Sequence, residues 1–105
     1  MFEERERGYE AKWAHDAEAL FRIRARRDTG LGEWAAARMN LHDSVIDDYV
    51  AAVVEAGLSG KGSDPVLEKI RTDFQARGVA CSDADLQAEA NSQRAEAEEH
   101  FKSKT

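Results

Sequence analysis

The chain has 105 residues, 34% of them charged, with 21 acidic against 15 basic side chains and a formal net charge of −6. That length accommodates one domain and no second, and the negative balance argues against nucleic acid and anionic lipid as partners. One cysteine, Cys81, and three scattered histidines exclude an internal disulfide and supply no metal-ligand cluster.

The first stretch is the most patterned. Phe2, Glu6, Tyr9, Trp13, Ala17 and Leu20 recur at helical spacing, which lines three aromatics along one stripe of an amphipathic helix. The stripe falters after Leu20, where the same face carries Arg24 and Asp28 before apolar residues return at Leu31, Trp34, Ala35 and Met39. Gly30 and Gly32 lie between, each costing a helix interior about 1 kcal/mol relative to alanine. The sequence therefore predicts a helix through Met39 with a bend or loosened turn near 28–32.

A second helix is predicted from Asp43 or Ser44 to Ala56, with Val45, Ile46, Tyr49, Val50, Val53 and Val54 as its apolar face. The stretch from Gly57 to Ser63 reads as a loop. Asp64 and Pro65 then supply an N-cap and a first helical residue. Leu67, Ile70, Phe74 and Arg77 follow one face, with Val66 at its edge, and Gly78 closes that helix as a left-handed cap. The run from Ser82 to Asp85 resembles a capping box. It opens a helix whose thin face of Leu86, Ala90, Gln93, Ala97 and Phe101 is expected to fray beyond Ala97, leaving 102–105 as a disordered tail. The expectation is an all-α fold: a small antiparallel four-helix bundle over 19–101 with a mobile amphipathic N-terminal segment over 1–18.

Motifs with catalytic or cofactor chemistry are weak. Gly60-Lys61-Gly62-Ser63 fails as a phosphate loop, because Glu55 stands where the pattern needs glycine and Gly62 where it needs serine or threonine. His15 and Asp16 are helical neighbours pointing about 100° apart, with no nucleophile at a spacing that completes a triad. No catalytic residue is expected, and the chain does not read as an enzyme. Arg22, Arg24, Arg26 and Arg27 form the dense basic cluster. It reads as a face paired with Glu18, Asp28 or the later acidic helices. Alternatively, Arg22 and Arg26 could fork a phosphate while Trp34 stacks a base, which would make the chain a nucleotide-responsive regulatory or assembly protein that binds adenine nucleotide weakly through the Arg22 to Arg27 region.

The charge is unevenly placed. Residues 1–38 hold eight basic and eight acidic side chains, whereas 39–105 hold seven and thirteen. Ordering about twelve residues of the aromatic stretch costs on the order of 12 to 24 kcal/mol of backbone entropy, and burying its three aromatics returns roughly 5 to 9. An alanine-rich bundle is a poor surface on which to recover the difference. The stretch reads as a segment that folds on a partner, with Tyr, Trp and Arg side chains of the kind that dominate interfaces.

The blocks Arg5-Glu6-Arg7, Glu10-Ala11-Lys12, Ala14-His15-Asp16-Ala17-Glu18, Ala25-Arg26-Arg27, Trp34-Ala35-Ala36, together with Gly32 and Met39, resemble the zeta subunit of alphaproteobacterial F-type ATP synthases, an ATPase inhibitor. The resemblance implies a partner, the catalytic head of the synthase with its α, β and central stalk subunits. It implies that the N-terminal segment enters a catalytic α/β interface near the stalk as a helix and blocks hydrolytic rotation. Carried over by position, the partner-binding residues are Phe2, Arg5, Glu6, Arg7, Tyr9, Lys12 and Trp13. His15, Asp16 and Glu18 then form the junction to the bundle. A free monomer without cofactor is expected, cytoplasmic and held at the inner face of the membrane without entering it. Three departures stand out: Gly8 where the family pattern tends to alanine, Gly30 in place of an apolar residue, and Asp28-Thr29 in place of a more basic pair.

Overall fold

The computed structural model describes residues 17–59 and 64–103, and expectations placed on 1–16, 60–63, 104 and 105 lie outside them. The described residues form four helices and no strand: α1 (Ala17–Arg38), α2 (Ser44–Leu58), α3 (Pro65–Arg77) and α4 (Asp83–Ser103). Cross-contacts fix the directions. Gly32 of α1 faces Val50 of α2 and Asp28 faces Gly57, so one numbering rises as the other falls. The same reversal relates Arg26 to Glu96 and Arg38 to Ala80 across α1 and the α4 side. Tyr49 meeting Asp73, and Gly57 meeting Val66, relate α2 to α3 in the same way. The bundle is thus antiparallel. Helix α1 packs on both α2 and α4 and touches α3, whereas α2 and α4 do not meet.

The core lies along α1 and α3. Leu31, Ala35, Met39, Val53, Val66, Leu67, Ile70, Phe74, Leu86 and Ala90 form one buried cluster, with Trp34, Leu41, Tyr49, Val79 and Cys81 packed against it. Each large member contributes roughly 1.5 to 3 kcal/mol by leaving water. Val45, expected on the apolar face of α2, is half exposed, and Arg77 stands in solvent.

Local chemistry sets most of the helix ends. Asp64 accepts a hydrogen bond from the Leu67 N–H and Pro65 opens α3, while Gly78 takes the left-handed conformation at its end. There the Gly78 and Val79 amides donate to Gln75 and Phe74, and Val79 packs on the core. Helix α1 ends in the same motif. Asn40, at φ 57°, replaces glycine, and Asn40 and Leu41 donate to the Ala37 and Ala36 carbonyls. The Ser82 hydroxyl accepts the Asp85 amide and so starts α4. Asp43 precedes α2 but makes no side-chain cap; its φ of 54° and the turn through His42 do that work instead.

Three boundaries differ from expectation. Helix α1 runs unbroken through 28–32, because Gly32 lets the α2 backbone approach at Val50 and Gly30 faces the Gln93 side chain of α4. Helix α2 continues through Gly57 and Leu58, where a loop was predicted, because Gly57 is packed between Asp28 and Val66. Helix α4 extends past Ala97, itself buried, to Ser103.

Candidate functional site

The expected partner-binding residues Phe2, Arg5, Glu6, Arg7, Tyr9, Lys12 and Trp13, and the junction residues His15 and Asp16, lie outside the described residues. Among the junction residues Glu18 is described: it is exposed and accepts a hydrogen bond from Arg22 at 2.7 Å across one turn. What the structure places is the end of the bundle from which α1 starts, and the arginines that surround it.

Those arginines are divided among separate partners. Arg22 engages Glu18. Arg26 forks the carboxylate of Glu96 on α4, at 3.2 and 3.1 Å, and that guanidinium holds the Glu96 carboxyl below its ordinary value. Arg27 turns inward. Its Nε donates to Asp28 Oδ1 at 2.9 Å, a terminal nitrogen pairs with that same oxygen at 2.8 Å, and its terminal nitrogens donate to both oxygens of Asp64 at 3.0 and 3.2 Å. Arg24 is exposed, and its charge opposes the rise in the Asp28 carboxyl. Trp34, grouped with Arg22 and Arg26 by the nucleotide reading, lies two turns beyond Arg26, roughly 12 Å along the helix. Its ring packs on Phe74 at 5.6 Å and 55°, under the guanidinium of Arg38 at 5.5 Å. Arg22 and Arg26 therefore share a face, and Trp34 belongs to the core side.

The Arg27, Asp28 and Asp64 cluster is the polar centre of this end. Asp28 is only 2% exposed, the one buried charged residue among the described core. It occupies the position on α1 at which the apolar stripe falters, between Ile23 and Leu31. Burial pushes its carboxyl above the ordinary value of 3.8, against the hydrogen bond and charge of Arg27, with the charge of Asp64 adding to the rise. Burial acts on Asp64 in the same direction. There the Arg27 bonds and the Leu67 and Val66 amides at the start of α3 outweigh it and hold the carboxyl below 3.8. One guanidinium thus joins α1 to the N-terminus of α3, and Gly57 in the last turn of α2 lies against the Asp28 carboxylate. Sequence reasoning had Asp28 as one of several partners for the arginines; nothing local indicated that it would be the buried one, or that Asp64 would share the guanidinium.

A second polar group lies between α2 and α3. Tyr49 donates to Asp73 at 2.8 Å, Lys69 reaches Asp73 at 3.1 Å and stands 5.2 Å over the Tyr49 ring. Burial, then the Asp73 carboxylate, raises the Tyr49 phenol well above its usual range, so it remains a donor at all physiological pH. It borders an open cavity of about 230 Å³. Among the described residues no group of three or more His, Cys, Asp or Glu side chains could hold a metal ion. No helix there is long and apolar enough to cross a membrane. Cys81 is half-buried beside the core, its thiol 3.6 Å from the Ser82 carbonyl.

The geometry is that of a clamped scaffold whose first helix leads directly back into the aromatic N-terminal stretch. A family model described as ATPase inhibitor subunit zeta matches residues 1–100. No curated protein and no solved structure matches the chain.

Proposed function

This chain belongs to the family of ATPase inhibitor subunit zeta, and from that premise we propose that it inhibits ATP hydrolysis by an F-type ATP synthase. Residues 2–14 enter a catalytic α/β interface of the head near the central stalk, and the bundle holds them in register. The observation that carries this reading is the extent of the match, which begins at residue 1 and so takes in the N-terminal stretch together with the bundle. The fold supports it mechanically: α1, the described helix nearest that stretch in the chain, packs against all three other helices.

The mechanism is a wedge. Tyr9 and Trp13 are the apolar anchors, Phe2 adds to the same side, and Arg5, Arg7 and Lys12 meet acidic or backbone groups of the head. Glu6 lies on the same stripe, and His15, Asp16 and Glu18 form the junction. Folding of the stretch on the head recovers from the partner the burial that its own bundle does not offer. Rotation is blocked because the load reaches α1 and is shared through the Arg27 clamp and the core. The chain acts from the cytoplasmic side and as a monomer.

The nucleotide reading has less support, since Arg22 and Arg26 are engaged by Glu18 and Glu96. Titrating the full chain onto isolated catalytic head while ATP hydrolysis is followed tests the proposal. Hydrolysis falls with saturation at one chain per head; an unaffected rate at micromolar chain overturns it.

A further inference from the structure

The turn that joins α1 to α2 lies beside α3 and leaves there the open cavity of about 230 Å³ that Tyr49 borders. Met39 and Leu41 line it from the turn, and Lys69, Asp73 and Arg77 line it from α3. Its charges are unequally matched. Asp73 takes the Tyr49 hydroxyl at 2.8 Å and the Lys69 ammonium at 3.1 Å, so that carboxylate is fully engaged. Arg77 stands one turn further along α3 and its charge is felt at the Tyr49 hydroxyl, yet among the described residues its guanidinium has no hydrogen bond or ion pair. Two cations and one carboxylate leave the wall with one surplus positive charge, in a part of the chain, 39–105, that is otherwise acidic.

We infer that this cavity binds a small monocarboxylate with a compact apolar body, an aromatic acid of the benzoate class. The carboxylate forks the planar Arg77 guanidinium, a geometry that suits two parallel hydrogen bonds. The ring lies on Leu41 and Met39, whose thioether favours aromatic neighbours. Size and charge select the class. A cavity of about 150 Å³ takes benzene, so this one takes a ring with a carboxyl group, and it falls below the roughly 300 to 1,000 Å³ of sites for drug-sized ligands. A nucleotide is too large. A second negative charge on the ligand would meet Asp73 once the surplus cation is matched, and an amine would meet Arg77 and Lys69. Contact on one open side limits the affinity to a Kd of about 1 mM. The inference stands apart from the inhibitor reading and does not depend on it.

The test titrates the full chain with benzoate, with benzamide as the uncharged molecule of the same shape, and with ATP, followed by NMR. Benzoate shifts the Leu41 and Tyr49 amides and the Met39 methyl to saturation, benzamide binds there about fivefold more weakly, and ATP leaves those signals in place. Arg77 is exposed, so Arg77→Gln keeps the helix content and melting temperature while weakening benzoate about fivefold and benzamide not at all. Absence of a saturable benzoate shift at tens of millimolar overturns the inference. Equal binding of benzamide would show an apolar surface only, and ATP moving the same signals as readily as benzoate would show unselective anion binding; either overturns it, as does unchanged benzoate affinity in Arg77→Gln.

Discussion

Gly30, Gly32 and Gly57 all lie inside helices, and alanine at each would gain about 1 kcal/mol of helix propensity, yet their surroundings give three different outcomes. A methyl at Gly30 meets the end of the Gln93 side chain, which can swing aside, so Gly30→Ala stabilises by about 0.5 to 1 kcal/mol. At Gly32 it lies 3.1 Å from the Val50 Cα, a backbone atom, and Gly32→Ala destabilises by about 1 kcal/mol net. At Gly57 it displaces the Asp28 carboxylate from Arg27, and Gly57→Ala costs about 3 kcal/mol, because it disturbs a buried ion pair. Urea unfolding of the three variants checks the order, and a Gly57→Ala protein as stable as the parent contradicts the clamp.

The same clamp fixes how acid acts on the fold. Asp64 is held below 3.8, so its contribution is complete above 3.8 and is lost as pH falls from there through its folded value. Asp28 is held above 3.8, so its ionised form is the penalised one, and acid relieves that penalty between its folded value and 3.8 before Asp64 begins to fail. Carboxyl carbon shifts followed by NMR will show Asp28 titrating at higher pH than Asp64, with the upper step absent in Asp28→Asn. The reverse order would mean that Arg27 serves chiefly Asp28.

At the scale of the helices, the sequence was most legible where the cause is local. Asp64 and Ser82 each cap an amide three residues on, Pro65 opens α3 and Gly78 takes the left-handed conformation at its end, as read. It was least legible where partners come from far along the chain. The unbroken course of α1 depends on Val50 and Gln93, the last turn of α2 on Asp28 and Val66, and the burial of Asp28 on an arginine whose second carboxylate is Asp64. Two departures from the family pattern, at Asp28 and Gly30, fall on those long-range contacts. The third, Gly8, belongs to the segment proposed to fold on the partner. If that segment binds as a helix, Gly8→Ala removes up to about 1 kcal/mol of folding cost and tightens inhibition roughly fivefold. No gain in potency, measured on the isolated head, contradicts a helical bound form.

For the molecule as a whole, charge and packing separate two roles. The acidic excess lies in 39–105, which is mostly scaffold, while the neutral first third combines aromatic and basic side chains. The scaffold holds α1 by apolar contact along α2 and α4 and by the guanidiniums of Arg26, Arg27 and Arg38, and α1 in turn carries the proposed wedge. The four helices were legible in the periodicity of the apolar residues, whereas the Arg27 clamp, which joins side chains 37 positions apart, required the fold. The most direct measurement compares the full chain with one lacking residues 2–14, in circular dichroism and in hydrolysis by isolated catalytic head. The shortened chain is expected to keep the helices of the bundle and lose inhibition; full inhibition by the shortened chain would contradict a wedge formed by residues 2–14.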